Sequence, residues 1–141
     1  MIGGQYVDVT TDGGLDGAAL EQLHELKTGR LIRACVVCAT AVAGLPIAER
    51  APWAAFGEEV GLLFQIVDDI LDATGTAAEL GKTPGKDEAA GKVTYVSLYG
   101  LERARELADE VRARVNDRLA LLPGDTSVLA ELVAAIRERR A

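Results

Sequence analysis

Three carboxylates crowd one short, otherwise apolar stretch, Phe64-Gln-Ile-Val-Asp-Asp-Ile-Leu-Asp72. Read as a helix, it puts Asp68 and Asp72 on one face, one turn apart, and Asp69 about 100° round the axis. Acids at this density on an apolar helix call for a cation, and oxygen-only ligands select a hard one. Mg2+ is held by one or two carboxylates together with waters and phosphate oxygens, not by an all-protein cage. The cluster therefore points to a magnesium-diphosphate site. The bland alternative is a solvated face near a helix C-terminus, where acids would oppose the helix dipole.

Downstream, Gly81-Lys-Thr-Pro-Gly-Lys-Asp-Glu-Ala-Ala-Gly-Lys92 carries Lys82, Lys86 and Lys92 on a glycine-punctuated loop. Glycines permit close backbone approach and lysines supply point charges for phosphate oxygens. The loop has no Walker A pattern, and taken alone would read as a solvated connection. Upstream, Lys27-Thr28-Gly29 sets an ammonium, a hydroxyl and an accessible backbone carbonyl side by side. In isolation it would read as a surface lysine beside a helical irregularity.

These residues must be positioned by helices, since no stretch shows sustained strand alternation; the expected class is all-α. The first helix is predicted over about 16–43, with Gly29 inside it at a cost of roughly 1 kcal/mol, which invites a packing or functional reason. The second spans about 51–73, with Pro52 in its first turn and Gly75 past its end. A polar loop over 74–92 leads to an Arg/Glu-laced helix over about 95–121, stopped by Pro123-Gly124-Asp125. The last, about 126–140, ends on Arg137-Glu-Arg-Arg140, which suits the negative end of its dipole. The opening Met1-Ile-Gly-Gly-Gln-Tyr-Val-Asp8 has no preceding cap and reads as an element entered partway.

Composition narrows the function classes. At 141 residues one core can be buried and two ordinary domains cannot. The net charge of −7 argues against a nucleic-acid surface, so an anionic ligand must bind through local lysines or metal ions. The most apolar stretch, 31–48, contains Arg33, Gly44 and Pro46, which argues against a membrane span. Without a basic leader and cleavage site, the expected location is cytoplasmic. Cys35 and Cys38 lie in an Ala/Val-rich helical run with no second CxxC and only one histidine, His24. They are expected to be buried, reduced core thiols and not a redox pair or zinc site.

Taken in order, Gly4-Gln5-x-x-Asp8, Leu26-Lys-Thr-Gly-Arg-Leu-Ile-Arg33, Phe64-Gln-x-x-Asp-Asp-x-x-Asp72, Gly81-Lys-x-x-Gly-x-Asp87 and Lys92-x-Thr-Tyr95 resemble the trans-isoprenyl diphosphate synthases. These form the polyprenyl synthetase family, and the likeness is to its C-terminal half. It implies an all-α isoprenoid synthase fold, truncated at the N-terminus, with residues 1–141 a partial domain. It implies that Asp68, Asp69 and Asp72 form the second aspartate-rich motif, holding Mg2+ against an allylic diphosphate. Lys27, Lys82 and Lys92 then match lysines that contact that diphosphate. Thr28, the carbonyl of Lys27 and Gln65 match dipoles that face the allylic carbocation, which isopentenyl diphosphate attacks. Gln5 and Asp8 match a helix beside the allylic pocket.

The family's first aspartate-rich motif and its N-terminal basic residues have no counterpart here. The resemblance thus implies a chain inactive alone, with a large apolar surface to be covered by its missing half, in an intact form expected to be a homodimer, or by a partner chain. Two other readings are a non-catalytic partner subunit and a fragment of a class I terpene cyclase. The Lys-Thr-Gly and Lys-x-Thr-Tyr sequences fit synthases better than cyclases.

Overall fold

The structure is a computed structural model; it describes residues 2–10 (the side chains of Asp8 and Val9 excepted), 14–75 and 92–139. Lys82, Lys86 and the side chain of Asp8 lie outside the described residues. The described residues form helices and no strand, as the patterning requires. In chain order these are α1 (Ile2–Thr10), α2 (Gly17–His24), a π-helical turn (Glu25–Gly29), α3 (Arg30–Val42), a 3-10 turn (Ile47–Glu49), α4 (Ala51–Thr74), α5 (Tyr95–Tyr99), α6 (Leu101–Leu121) and α7 (Ser127–Glu138).

Helix α4 is the axis of the molecule. Its buried residues, among them Phe56, Val60, Leu63, Ile66, Val67 and Ile70, lie all round it, as befits a helix enclosed by neighbours. It packs on α3 along one side and α6 along another, with the π turn and α7 filling the gaps. Helix α6 contributes a single stripe, Ala104, Ala108, Val111, Val115 and Leu119, at helical spacing, and its opposite face is charged. Capping marks the starts: Asp16 Oδ1 accepts from Ala19 N–H at 2.8 Å. Thr94 and Ser97 form a reciprocal capping box before α5.

The structure differs from the sequence reading in three places. The predicted first helix is not uniform, because the π turn falls on Lys27-Thr28-Gly29. The predicted third helix is two, broken at Gly100, whose φ is +81°. The glycine-rich opening, read as an element entered partway, is a helix, α1, and so is no departure. Cys35 and Cys38 are exposed, not buried. Leu31, Cys35, Cys38 and Val42 fall at i, i+4, i+7 and i+11 on the face of α3 that none of the described helices covers, and all four are exposed. Ile2 and Tyr6 form a similar exposed pair on α1.

Candidate functional site

The π turn is held between two backbones. A Cβ on Gly61 of α4 would stand 2.7 Å from Gly29 Cα, and one on Gly4 of α1 would stand 2.6 Å from Lys27 Cα. Only glycine allows either approach, which accounts for helical glycines that cost propensity. The extra residue of a π turn then aims Lys27 and Thr28 where a regular helix would not; such turns recur at functional sites.

From that turn a hydrogen-bonded relay crosses the core. Thr28 Oγ1 donates to Gln65 Oε1 at 3.1 Å. Gln65 Nε2 donates to Asp69 Oδ1 at 3.3 Å. The backbone N–H of Tyr95 donates to Asp69 Oδ2 at 2.9 Å. Gln65 and Asp69 are 8% and 4% exposed, so in this interior each bond satisfies a group whose desolvation would otherwise be costly. Burial, reinforced by Glu21 and then Asp69, pushes the Tyr95 phenol above its ordinary range and keeps it neutral.

The three aspartates do not converge. Asp69 faces inward and is engaged on both oxygens. Asp68 keeps a side chain 43% exposed and pairs with Arg139 at 2.7 Å. Asp72, one turn on along the same face, is buried. Among the described residues no three His, Cys, Asp or Glu side chains gather as a metal cage. An oxygen-donor pair on one face, with a cation already drawn to its outer member, fits a hard divalent ion completed by phosphate oxygens and water. Lys27 and Lys92 are both half-buried. Lys92 lies three residues before Tyr95, the residue tied to Asp69, so the chain returns it toward the C-terminal half of α4.

Sequence reasoning missed several parts of this arrangement. The guanidinium of Arg139 stands 4.8 Å from the centre of the Phe64 ring while it pairs with Asp68, although the sequence offered only a basic helix end there. Gly4 and Gly61 gave a signal as glycines in helical runs, and the N–H of Tyr95 gave none. The cavity of about 440 Å3 beside Gly29 is lined by Glu21, Glu25, Glu58 and Glu59 against the single Arg114, a net negative wall that disfavours a diphosphate. No helix among the described residues is long and apolar enough to cross a membrane.

The polyprenyl synthetase family pattern matches residues 1–133. The chain is 40% identical over 140 residues to the chloroplastic geranylfarnesyl diphosphate synthase of Leucosceptrum canum, covering 96% of this chain and 38% of that protein. It is 41% identical over 152 residues to the farnesyl diphosphate synthase of Escherichia coli (strain K12), covering 99% of this chain and 48% of that one. Among solved structures, the geranyltransferase from Helicobacter pylori complexed with magnesium and isoprenyl diphosphate superposes with a TM-score of 0.82 at 36% identity, covering 96% of this chain and 45% of the other. The chain thus spans less than half the length of these relatives.

Proposed function

Because the chain belongs to the polyprenyl synthetase family, we propose that it forms the diphosphate-binding part of a prenyltransferase joining an allylic diphosphate to isopentenyl diphosphate. The observation that carries this reading is the contact of Thr28 with Gln65, 37 positions apart, which unites the two motifs assigned to carbocation-facing dipoles. Asp68, with Asp72 behind it, would hold Mg2+, which when bound stabilises the charge of a departing diphosphate. Lys27, Lys92 and, from outside the described residues, Lys82 would bind diphosphate oxygens as point charges. Thr28 and Gln65 would face the electron-poor allylic carbon from a wall of α4 that excludes water, which would otherwise trap the cation.

The uncovered apolar faces of α1 and α3 support a site completed by further polypeptide, in the same chain or a partner. A homodimeric intact form and a cytoplasmic setting belong to the same proposal. The test is incorporation of labelled isopentenyl diphosphate with allylic diphosphates and Mg2+, by this chain and by one extended upstream. Activity that needs the extension and is lost in Asp68→Ala is the expected result. An extended chain that leaves both substrates untouched would favour a non-catalytic subunit.

A further inference from the structure

Asp69 is engaged on both oxygens, yet it lies between two aspartates suited to a metal. We propose that Asp69 is a positioning residue: through Gln65 it fixes the polarity of the Thr28 hydroxyl, so that Thr28 offers only acceptor lone pairs to whatever lies beyond it. Each proton along the relay has only one possible owner. The N–H of Tyr95 can only donate, so Asp69 Oδ2, 2.9 Å away, accepts. The other oxygen of the carboxylate, Oδ1, also accepts, and Gln65 must therefore turn its NH2 toward it, at 3.3 Å. That places Gln65 Oε1 against Thr28, and an amide oxygen can only accept, so the hydroxyl proton of Thr28 points into α4 across 3.1 Å. A hydroxyl has one proton and two lone pairs, and the proton is spent.

Two neighbouring residues therefore have opposite polarity. The Lys27 ammonium is donor only and suits a diphosphate oxygen; the Thr28 hydroxyl is acceptor only, disfavours an anion and suits an electron-poor or cationic carbon or nitrogen. The fixed end of the relay is the backbone of α5, so the polarity is set by the fold before any ligand arrives, which is the form electrostatic preorganisation takes. This inference rests on the site reading above and assigns Asp69 a role apart from the metal.

Asp69→Asn tests it and should fold, since the asparagine carbonyl can still accept from Tyr95 N–H. Its NH2 then faces Gln65, which must flip, and the Gln65 NH2 in turn donates to Thr28. Two diphosphates serve as probes with Mg2+: 3-methylbutyl diphosphate and its isostere with a protonated nitrogen at the branching carbon. Wild type should prefer the ammonium compound by about tenfold, the worth of one hydrogen-bond-sized dipole. Asp69→Asn, Thr28→Val and the double variant should each narrow the ratio of the two affinities to the same extent, whatever each does to binding of the neutral compound. Equal losses that do not add, between residues that do not touch, are the mark of a relay. A preserved preference in Asp69→Asn, or equal loss of both compounds, would overturn the inference.

A ligand-free readout separates this from the site reading. Thr28→Val should shift the Gln65 Nε2 proton resonances strongly only when combined with Asp69→Asn. If wild type bound neither diphosphate, the site reading would fall and these resonances alone would decide the relay. An unshifted pair in the double variant would refute it.

Discussion

Arg139 Nη2 lies 2.7 Å from Asp68 Oδ1, joining the end of α7 to the C-terminal half of α4 across 71 positions of sequence. The same guanidinium covers the Phe64 ring, so Arg139 occupies the outer side of the aspartate proposed to hold the metal. A guanidinium and a divalent ion cannot share that oxygen at full strength.

Arg139→Gln is therefore expected to tighten Mn2+ binding by this chain. The pair is more than a third exposed on both sides, and such pairs contribute at most about 1 kcal/mol, so the gain should be about two- to fivefold. Electron paramagnetic resonance of free Mn2+ during titration measures it. Weaker binding in the variant would mean that Arg139 assists the site and does not compete for it.

The aim of Lys27 and Thr28 depends on the approach of Gly61 to Gly29. In Gly61→Ala the new methyl would meet Gly29 Cα at 2.7 Å, where neither backbone has a flexible end to give way. Overpacking of this kind costs about 1–3 kcal/mol. The expected result is a lower urea midpoint together with loss of the Thr28–Gln65 hydrogen bond, seen as a changed Gln65 side-chain amide resonance. An unchanged midpoint would mean that the π turn and α4 can separate freely, and the clamp would carry no weight.

The relation of Asp68 to Asp72 was legible because helical spacing alone fixes it, and the same geometry already set Asp69 apart by about 100°. What meets Asp69 was not legible: Tyr95 reaches it from 26 positions away, and a backbone N–H leaves no trace in residue type. The π turn was half legible. Gly29 signalled an irregularity, but its cause lies in Gly4 and Gly61, on other helices. Gly100 could have marked the break in the third helix, since the Arg/Glu pattern begins only after it, at Glu102. The thiols were misread because an apolar helical run shows that a face wants cover, not whether anything in the same chain supplies it.

Cys35 and Cys38 are exposed, one turn apart on the outer face of α3 between Leu31 and Val42. Both should react with iodoacetamide in the native chain as fast as in urea, giving two adducts by mass spectrometry. Protection that is lost on dilution would show the stripe covered by a second copy, which an exposed apolar patch favours.

Acid sensitivity should appear where α7 is fastened to α6. Arg137 donates to both oxygens of Asp109, at 2.8 and 3.0 Å, two residues before the Arg139 that reaches Asp68. The hydrogen bond from Arg137 holds the Asp109 carboxyl below its ordinary range. A depressed folded value means that the pair's stabilisation is fully present above the unfolded carboxylate value of about 3.9 and is lost as pH falls through the lower folded one. Because the side chain of Asp109 is half-exposed, the contribution is at most about 1 kcal/mol. Asp109→Asn should therefore be slightly less stable than wild type at pH 7 and converge with it near pH 2, in urea titrations at each pH. If Arg139 is aimed at Asp68 by this fastening, the same variant should reproduce part of the Mn2+ gain of Arg139→Gln at pH 7. A variant whose stability deficit persists unchanged at pH 2 would place the loss in packing and not in charge.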